Sequence, residues 1–450
     1  MTQTFEKFYI VGGAVRDALL NKDPHDFDIV VEGAVPKFMT DLGFIPVGKS
    51  FPVYLHPVTK MEYALCRKEI KTGDKHTDFQ FIWDGVSLNE DLERRDFTIN
   101  AMACACTVDI KTGKVTPITL AEEKKIEYCY IIDNHGGFQD LRDKVIRHVN
   151  AEHFIEDPLR VLRACRFAAQ LGFSIHEDTM KLLKSMVKQG MLQHLSRQRI
   201  DNEFMKAMSP GFDSKLFILY MKECGALKEL YPEIDALFDN KEQVKYHSTG
   251  NTGLHVMEAL SYAKDCEMHV KMAVLYHDVY KPIAYQSKLN TGDYHVPHDS
   301  EDALKYFDEI AKDREYPYKV KQAIRVAIKH HMKLWKYFDG MVAKHYVDMI
   351  AEITRDFNES YGYLLQDLLL VCAADDMSDK TEACIQKGQT KERVGKLFKI
   401  CTYIFDTCSK IKFRDVPNYQ DLDPLKVKEK QRIMRIKAIQ NEYEEIRKVS

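Results

Sequence analysis

The spacing of apolar residues changes near residue 140, and this change most strongly limits the possible fold. Before that point, short apolar runs alternate with glycine and proline. FYIVGG and FDIVV predict strands, and AVRDALL predicts a helix between them. After it, Leu159, Leu162 and Phe167 recur at helical spacing, and Gly172 follows as a C-cap. The sequence therefore predicts an α/β head followed by helical regions.

Local signals predict further elements along the chain. SFPVYLHP and MEYALC predict two strands around a turn at Pro57, and TINAMACA predicts a helix with Asp96 as its N-cap. DNKEQVKYHSTGNTG is polar and rich in turn residues, which indicates a domain junction. A second helical unit, rich in His and Asp, follows it, and KVKEKQRIMRIKAIQNEYEEIRKV predicts a charged, exposed terminal helix.

Composition excludes several classes of protein. The formal net charge is −3, so a nucleic-acid ligand would need a local basic patch. No apolar stretch approaches the roughly 20 residues that span a bilayer, and no signal-peptide pattern opens the chain. We therefore expect a cytoplasmic protein without a membrane partner. The 11 cysteines are scattered and form no CxxC pair, which favours reduced, buried thiols over a disulfide framework or a zinc site.

Two acids open the second predicted strand, in DFDIVV. Asp26 and Asp28 are two residues apart, so both carboxylates leave the same face of a strand. Two adjacent carboxylates repel each other and offer oxygen ligands to Mg²⁺, which leaves its other positions to water and phosphate. A solvated turn before a strand is the alternative that this pair leaves open.

A glycine turn lies shortly before these acids. Gly12 and Gly13 follow a strand and precede a helix, so backbone N–H groups there can approach a phosphate. Arg16 lies one turn into that helix and can reach the same anion. The alternative is a tight strand-to-helix turn with a surface arginine. Combined with Asp26 and Asp28, the turn predicts a site for a metal and a triphosphate.

ERRDFTINAMA adds a second group of charged residues to the head. Arg94, Arg95 and Asp96 lie together before the predicted helix. Arg95 can pair with phosphate, and Asp96 can cap the helix or contact a sugar hydroxyl. A purely structural ion pair is the alternative.

EDPLRVLRACRF is the most informative segment. Asp157 and Pro158 suit the N-cap and the first helical position, and Arg160, Arg163 and Arg166 follow at steps of three. Cytosine and adenine present an amine beside an unprotonated ring nitrogen, whereas guanine and uracil present a carbonyl beside an N–H. A carboxylate accepts from the amine and a guanidinium donates to the ring nitrogen, so one Asp–Arg pair can select C and A. A capped helix with a basic stripe is the alternative.

These segments, in this order, resemble the bacterial tRNA nucleotidyltransferases, the CCA-adding enzymes of the second class of the nucleotidyltransferase superfamily. The resemblance runs from YIVGGAVRDALLNKDPHDFDIVV through LERRDFTINAMA, GGFQDLRDKVIRHV and EDPLRVLRACRFAAQLGF to LSRQRIDNEF and beyond. It implies an α/β nucleotidyltransferase head with a small mixed or antiparallel sheet, followed by all-α neck, body and HD domains. The implied ranges are 1–140 for the head, 141–240 for the neck and RNA-binding region, 245–380 for the HD domain and 381–450 for a helical charged tail.

The resemblance also implies a role for each residue that matches a family motif. DNHGGFQDL would be the hinge between head and neck, and RQRIDNEF would support the neck. The implied ligands are Asp26 and Asp28 for the catalytic Mg²⁺, Gly13 and Arg16 for nucleotide phosphate, Arg94, Arg95 and Asp96 for the triphosphate and ribose, and Glu156, Asp157 and Arg160 for the incoming base, with Arg163 beside them.

The second helical unit resembles an HD domain. TGLHVMEAL contributes His255, VLYHDVYKP contributes His277 and Asp278, and VCAADDMSD contributes Asp375. Such mixed nitrogen and oxygen ligands suit a divalent cation such as Mg²⁺, Mn²⁺ or Ni²⁺. Histidines that are simply packed or exposed on helices are the alternative.

Further residues bear on which side chains bind the metal and on whether this HD domain is active. His298 and His331 are auxiliary candidates, and Asp376 leaves the identity of the last acidic ligand ambiguous. The family's small glycine after the HD pair is replaced by Tyr280, which argues against phosphohydrolase activity.

The implied activity is template-independent addition of CCA to the 3′ end of tRNA, with Mg²⁺ and release of pyrophosphate. The implied partners are the tRNA 3′ end and acceptor arm, CTP and ATP. A poly(A) polymerase, or an enzyme that adds only part of CCA, shares the head motifs. The near-neutral charge argues against a polymerase that grips generic RNA. An HD phosphohydrolase with a nucleotide-sensing head is the alternative from another class.

Overall fold

The computed structural model of the chain describes residues 7–24, 27–47, 53–71, 79–118, 130–241, 249–291, 297–335, 342–378 and 391–448. It contains two compact units, Met1–Ile200 with Glu223–Ala226 and Asp201–Lys222 with Leu227–Ser450. Strands are found in the first unit, and the described part of the second is helical. The predicted order of an α/β head followed by helices is confirmed.

A mixed sheet is the framework of the first unit. Its strands are β1 (Lys7–Val11), β2 (Asp28–Glu32), β3 (Ile45–Val47), β4 (Val53–Leu55), β5 (Glu62–Leu65), β8 (Ala103–Asp109), β9 (Lys114–Pro117) and β10 (Ile131–Ile132). Two small separate sheets are formed by the pair β6 (Lys68–Lys71) and β7 (Phe79–Ile82) and by the pair β11 (Val145–Ile146) and β12 (Ser174–Ile175). In the described residues the main order is β10-β8-β1-β2-β5-β4-β3, with β9 on β8. Among the strand pairs that the described residues form in this sheet, β2 with β5 is parallel and the others are antiparallel.

Strand register brings polar residues to one end of this sheet. Val11, the last residue of β1, pairs with Asp28, the first residue of β2. Because β5 runs parallel to β2 with Ile29 opposite Tyr63, Glu62 begins β5 at the same end. The interiors of these strands are apolar and buried, so the chemistry is confined to that end.

The prediction of a helix in TINAMACA is wrong. Residues Thr98–Asn100 form a single 3₁₀ turn, and the following residues form β8. Ala103 and Cys104 are fully buried because β8 pairs with β1 on one side and β10 on the other. A short apolar run suits a buried strand as well as a helix, and the sheet decides between them here.

Helices complete the first unit. They are α1 (Gly13–Leu19), α2 (Pro36–Asp41), α3 (Leu88–Glu93), α4 (Gly137–Asp143), α5 (Ala151–Phe154), α6 (Arg160–Leu171) and α7 (Glu177–Lys188). The predicted C-cap of α6 is confirmed, since Gly172 adopts the left-handed conformation with φ 68°. The predicted N-cap is wrong: α6 begins at Arg160, and the Asp157 carboxylate accepts a hydrogen bond from the Leu159 amide in a turn before the helix.

The later helices build the second unit. They are α8 (Arg197–Ala207), α9 (Ser214–Cys224), α10 (Ala226–Leu230), α11 (Pro232–Asp235), α12 (Thr252–Tyr262), α13 (Met268–Tyr276), α14 (Lys281–Thr291), α15 (Glu301–Lys312), α16 (Tyr318–Trp335), α17 (Ala343–Ile353), α18 (Gly362–Ser378), α19 (Lys391–Lys410) and α20 (Pro424–Lys448). Of these, α8, α9 and α10 each contain residues of both units. Residues 242–248 of the predicted junction DNKEQVKYHSTGNTG lie outside the described residues.

The prediction that α20 is an exposed helix is wrong for one of its faces. Val427, Gln431, Arg435 and Ile439 recur every four residues and are buried. The Arg435 guanidinium pairs with the Asp356 carboxylate, so a charge that was expected in solvent is instead neutralised inside the unit. Ile439 belongs to an apolar cluster with residues of α17, α18 and α19.

Two further expectations from composition have different outcomes. In the described ranges, none of the helices is long and apolar enough to cross a membrane. Among the described residues, eight cysteines are outside any disulfide, and all of these but Cys266 are buried. Cys104, however, is disulfide-bonded, so the expectation of reduced thiols is wrong at that position.

Candidate active site

A cavity of about 370 Å³ opens in the first unit at the polar end of the sheet. Four segments that are distant in sequence meet there: the start of β2, the strands β4 and β5, the residues after α3, and the start of α6. The charged lining residues are Asp28, Glu62, Asp96, Asp157, Arg67, Arg94, Arg95, Arg160 and Arg163. Asp26 lies outside the described residues. The cavity thus combines carboxylates that can hold a cation with guanidiniums that can bind phosphate.

The glycine turn lies directly beside this cavity. Gly12 has φ +71°, a conformation that side chains disfavour. A Cβ added there would be 3.1 Å from Nη1 of Arg95 and 3.6 Å from Oδ2 of Asp28. The turn therefore needs glycine both for its backbone angle and for the close approach of the two charged side chains.

The two predicted phosphate ligands of this turn, Gly13 and Arg16, are not among the residues that line the cavity. Arg16 is 5% exposed. Its Nη1 donates to Oδ1 of Asn100 at 2.7 Å, and its Nε donates to Oδ1 of Asp17 at 2.8 Å. Its guanidinium also lies 5.2 Å from the ring centroid of Phe167. In this structure Arg16 is held by the protein, and its role toward phosphate stays a prediction.

A buried carboxylate that the sequence interpretation missed holds the arginine pair. Asp91 is fully buried, and its two oxygens accept from Nη2 of Arg94 at 2.5 Å and from Nη2 of Arg95 at 3.3 Å. Burial raises the pKa of Asp91, but the two guanidiniums outweigh burial and keep that pKa below its ordinary value. The signal was present in LNEDLERRD, because residues three and four apart on a helix are neighbours.

Asp96 connects the arginine pair to α6. Its Oδ2 accepts from Nε and Nη2 of Arg163 at 2.9 and 2.6 Å, and its Oδ1 accepts from the Phe97 amide and from Nδ2 of Asn100. Burial raises the pKa of Asp96, yet Arg163 and Asn100 overcome burial and lower it to about 2. Asp96 therefore remains ionised at neutral pH.

Hydrogen bonds to other protein groups hold both side chains of the predicted base-selecting pair, Asp157 and Arg160. Arg160 donates from Nη1 to the His153 carbonyl at 2.6 Å and from Nη2 to the Arg94 carbonyl at 2.7 Å. Asp157 accepts from Nη2 of Arg199 at 3.1 and 2.9 Å. Because these hydrogen bonds already restrict the rotamers of the two side chains, ligand binding costs less side-chain entropy.

Further lining or supporting residues went unnoticed in the sequence, among them Arg67, Arg199 and Glu62, and one predicted residue lies elsewhere. Arg199 belongs to RQRIDNEF, which was expected to support the neck, but its contact with Asp157 needs the tertiary structure. Glu62 had no signal in MEYALC and reaches the cavity only through the strand register. Glu156 is not among the lining residues, and its Oε1 lies 3.3 Å from Nδ1 of His153.

A second polar cluster lies inside the second unit. It joins all of the predicted HD residues: His255 from α12, His277 and Asp278 after α13, His298 before α15, His331 from α16 and Asp375 from α18. They form three overlapping groups, and within each group the candidate ligand atoms lie within 4.8 Å of one another. Asp375 belongs to these groups and Asp376 does not, which selects the last acidic candidate.

The side chains of this cluster fit a divalent cation. Among the described residues, Nε2 of His277, Nε2 of His298 and Oδ1 of Asp278 are buried and make no hydrogen bond. Burial lowers the pKa of His277, but the carboxylates of Asp278 and Asp375 overcome burial and raise it above its ordinary value. Buried polar atoms left without partners are costly, and a cation would satisfy them.

Tyr280 and Lys281 follow His277 and Asp278 closely in sequence. The Tyr280 ring packs against Tyr306 with centroids 5.7 Å apart. Nζ of Lys281 lies 2.7 Å from Oδ2 of Asp278. A cation at this carboxylate would therefore meet an ammonium group already beside it.

Family models match three parts of the chain. They are described as "Poly A polymerase head domain" for residues 8–147, "Probable RNA and SrmB- binding site of polymerase A" for residues 172–238, and "HD domain" for residues 252–378. The first range contains the described strands β2 to β11 and all of β1 except Lys7, and the last contains the histidine cluster. The predicted nucleotidyltransferase head and HD domain are thereby confirmed.

Solved structures similar to this chain share its fold. The structure titled "Thermotoga maritima CCA-adding enzyme complexed with tRNA_CCA" is 19% identical, with a TM-score of 0.58 over 98% of this chain and 90% of that one. A tRNA nucleotidyltransferase complexed with a primer tRNA and an incoming ATP analog is 25% identical, with a TM-score of 0.52 over 88% of this chain and 96% of that one.

Curated relatives match at higher identity. A protein named "Multifunctional CCA protein" from Acinetobacter baumannii is 40% identical over 331 residues, which are 72% of this chain and 74% of the relative. Another of the same name from Vibrio campbellii is 36% identical over 379 residues, which are 83% of this chain and 86% of the relative. With this identity and coverage, and with the head and HD domain in the same chain, the protein belongs to the bacterial multifunctional CCA protein family.

Proposed function

We propose that this protein adds CCA to the 3′ end of tRNA from CTP and ATP and releases pyrophosphate. The observation that carries the proposal is that one cavity contains Asp28, the arginines of the RRD segment, and both Asp157 and Arg160. A cation-binding carboxylate, a set of phosphate ligands and a base-selecting pair are the three elements that untemplated nucleotidyl transfer requires. The relatives' names and the titles of the similar structures support the same activity.

In the proposed reaction, the tRNA 3′ oxygen forms a bond to the α-phosphate of the nucleotide as the bond to pyrophosphate breaks. Asp26 and Asp28 would hold Mg²⁺, which neutralises charge on the phosphates. Glu62, at the same end of the sheet, supplies a further carboxylate oxygen. Arg95 binds the triphosphate, because its guanidinium lies beside Gly12 and Asp28 and is oriented by Asp91.

Base selection is assigned to Asp157 and Arg160. The carboxylate would accept from the amine of cytosine or adenine, and the guanidinium would donate to the adjacent ring nitrogen. Both side chains line the cavity. Asp157 accepts a hydrogen bond from Arg199, and Arg160 donates to two backbone carbonyls. Arg163 holds Asp96 on the same wall of the cavity.

The domain division supports the same proposal. We assign residues 1–140 to the nucleotidyltransferase head, 141–240 to the neck that receives the tRNA acceptor arm, 245–380 to the HD domain and 381–450 to the tail. The family models for residues 8–147 and 252–378 support the first and third assignments, and the model for residues 172–238 lies within the later part of the second.

The proposal is tested by replacing the base-selecting pair. Asp157→Ala and Arg160→Ala are assayed with tRNA lacking CCA and with each of the four NTPs. We expect lower incorporation of CTP and ATP, and a discrimination against UTP and GTP that falls about tenfold or more for each lost hydrogen-bond partner. Asp178→Ala and Arg142→Ala, at exposed positions of the same unit, are the matched controls. Unchanged discrimination in both variants would contradict the assignment.

The histidine cluster favours an accessory activity, the metal-dependent hydrolysis of phosphate esters. Its ligand set fits a divalent cation, which would lower the pKa of a bound water. The tyrosine at position 280 argues against this activity in sequence, but its ring packs on Tyr306. Release of phosphate from 2′- or 2′,3′-cyclic nucleotides that is lost in Asp278→Asn would support it, and no release from the unmodified protein would contradict it.

A further inference from the structure

Three buried phenylalanine rings form a row in the first unit. Phe97 and Phe154 are fully buried, and Phe167 is 7% exposed. The Phe97 ring meets Phe154 and Phe167 in T-shaped contacts, with ring centroids 5.7 and 5.6 Å apart. Because this is a favoured geometry of aromatic pairs, each ring restricts the position of the next. We call these three residues the phenylalanine row.

Arginine side chains lie over both outer rings of the row. The Arg160 guanidinium lies over the Phe154 ring, 5.8 Å from its centroid. The guanidiniums of Arg16 and Arg163 lie over the Phe167 ring at 5.2 and 5.3 Å. All three distances are within the range of cation–π interactions. The row therefore connects an arginine of the glycine-turn helix to two arginines that line the nucleotide cavity.

A ring face attracts an arginine without using its hydrogen-bond donors. A carboxylate accepts N–H groups and offsets the positive charge, whereas an aromatic ring attracts the cation through its quadrupole and leaves the N–H edge to other partners. Arg160 also donates to the backbone carbonyls of His153 and Arg94, and neither of these partners carries a charge. Arg160 is thus oriented by neutral groups, which preserves its charge for a ligand.

Backbone contacts hold the central ring of the row in place. The Phe97 amide donates to Oδ1 of Asp96 at 2.8 Å, and Phe97 forms an antiparallel β-bridge with His148. Oδ2 of the same aspartate accepts from Nη2 of Arg163 at 2.6 Å. The residue at the centre of the row is therefore fixed to the segment that also holds a cavity-lining arginine.

We propose that Phe97, Phe154 and Phe167 are positioning residues of the nucleotide site, which fix the distance between Arg160 and the arginines on Phe167. This inference rests on the CCA-adding function proposed above. Selecting a base on a bound triphosphate requires a set spacing between the base-selecting and phosphate-binding groups, and small errors in such positions are costly. Phe97 determines this spacing because it contacts both outer rings.

The test compares ATP with GTP in two assays of the full-length chain. Calorimetric titration gives the dissociation constant of each nucleotide without RNA. Incorporation into tRNA that ends in CC gives kcat and KM for each. We expect Phe97→Leu and Phe167→Leu to lower the preference for ATP about tenfold, because each variant loses ring contacts that hold an arginine. The change should appear in KM and in the dissociation constant more than in kcat.

Two further variants separate positioning from packing. Phe167→Tyr keeps an aromatic face for the arginines and should retain most of the preference for ATP. Phe307→Leu is the matched control, because Phe307 is fully buried in α15 and its ring packs against Tyr276 at 5.6 Å. It should lower the melting temperature, as any loss of a buried ring does, and leave the preference unchanged. If Phe97→Leu unfolds, Phe97→Met replaces it, since methionine fills space without a ring face.

The outcomes distinguish this inference from the function on which it rests. An unchanged preference for ATP in Phe167→Leu and in the folded Phe97 variant would overturn the positioning role, and so would equal losses in Phe167→Leu and Phe167→Tyr. If the unmodified chain fails to extend tRNA but still prefers ATP in the titration, the proposed function fails and the titrations still decide on the row. Equal binding of both nucleotides by the unmodified chain, with no extension, would overturn both proposals.

Discussion

Asp96 shows how a single buried charge organises the nucleotide cavity. Its carboxylate is 8% exposed, yet it stays ionised because Arg163 and Asn100 donate to it. Asn100 in turn accepts from Arg16, so the glycine-turn helix and α6 are tied to the same carboxylate. Hydrogen-bond networks of this kind rigidify a site when every donor and acceptor in them has a partner.

The lowered pKa of Asp96 gives a pH dependence with a definite sign. Its folded value of about 2 lies below the ordinary 3.8, so the ionised form stabilises the fold. That contribution, on the order of 2 kcal/mol, is present above about pH 4 and is lost as the pH falls toward 2. In urea titrations, Asp96→Asn should therefore lower the free energy of unfolding at pH 7 more than at pH 3. An equal loss at both pH values would contradict the lowered pKa.

The close approach of Arg95 to Gly12 leads to a second prediction at the scale of one residue. Gly12→Ala adds a Cβ 3.1 Å from Nη1 of Arg95, so that guanidinium must move away from Asp28. We expect nucleotide incorporation to fall roughly tenfold or more, since small displacements of a positioning group are costly. Gly33→Ala is the matched control, because Gly33 also has positive φ but nothing within 4 Å of the added Cβ. Equal losses in both variants would show that backbone strain alone is responsible.

Residue-level chemistry was predictable only where its partners are close in sequence. Asp157 and Arg160 are three residues apart, and their use as a base-selecting pair follows from hydrogen-bonding rules applied to one segment. Arg199 and Glu62 have no such signal, because the first reaches Asp157 across 42 positions and the second arrives through strand register. Arg16 was expected at a phosphate, but the structure ties it to Asn100, 84 residues away.

At the scale of elements, burial and local sequence signals explain which helices and strands were predicted correctly and which were not. The strand–helix–strand unit at the N-terminus was predicted correctly because two short apolar runs and the glycine turn between them are local signals. TINAMACA was mistaken for a helix because a fully buried strand has no alternating polar face to reveal it. In α20, the many Lys and Arg residues suggested solvent, whereas Arg435 and Arg432 pair with acids of the neighbouring elements.

The buried face of α20 predicts a stability difference along one helix. Ile439 is fully buried in the cluster with α17, α18 and α19, whereas Ile433 on the same helix is 41% exposed. Ile439→Ala should lower the free energy of unfolding by about 2–5 kcal/mol through lost contacts and a residual cavity. Ile433→Ala should change it much less. Chemical denaturation of both variants checks this, and similar losses would indicate that α20 does not pack through Ile439.

At the scale of the whole molecule, charge limits how RNA is held. The formal net charge of −3 provides no general attraction for a polyanion, so RNA binding must rely on a local surface and on the shape of the tRNA end. Poly(A) should therefore compete for the enzyme roughly tenfold more weakly than tRNA at physiological salt. Filter-binding competition measures this ratio. Equally strong competition would favour a poly(A) polymerase.

The central claim is that one cavity, with no nucleic-acid template, adds C, C and A in that order. The most direct measurement incubates the protein and Mg²⁺ with tRNA that lacks its CCA end, giving each NTP alone and then CTP with ATP. Products are resolved at single-nucleotide resolution. We predict extension by two residues with CTP alone and by three with CTP and ATP together, with no extension by GTP or UTP. A long A tail, or no extension in the presence of both nucleotides, would contradict this account.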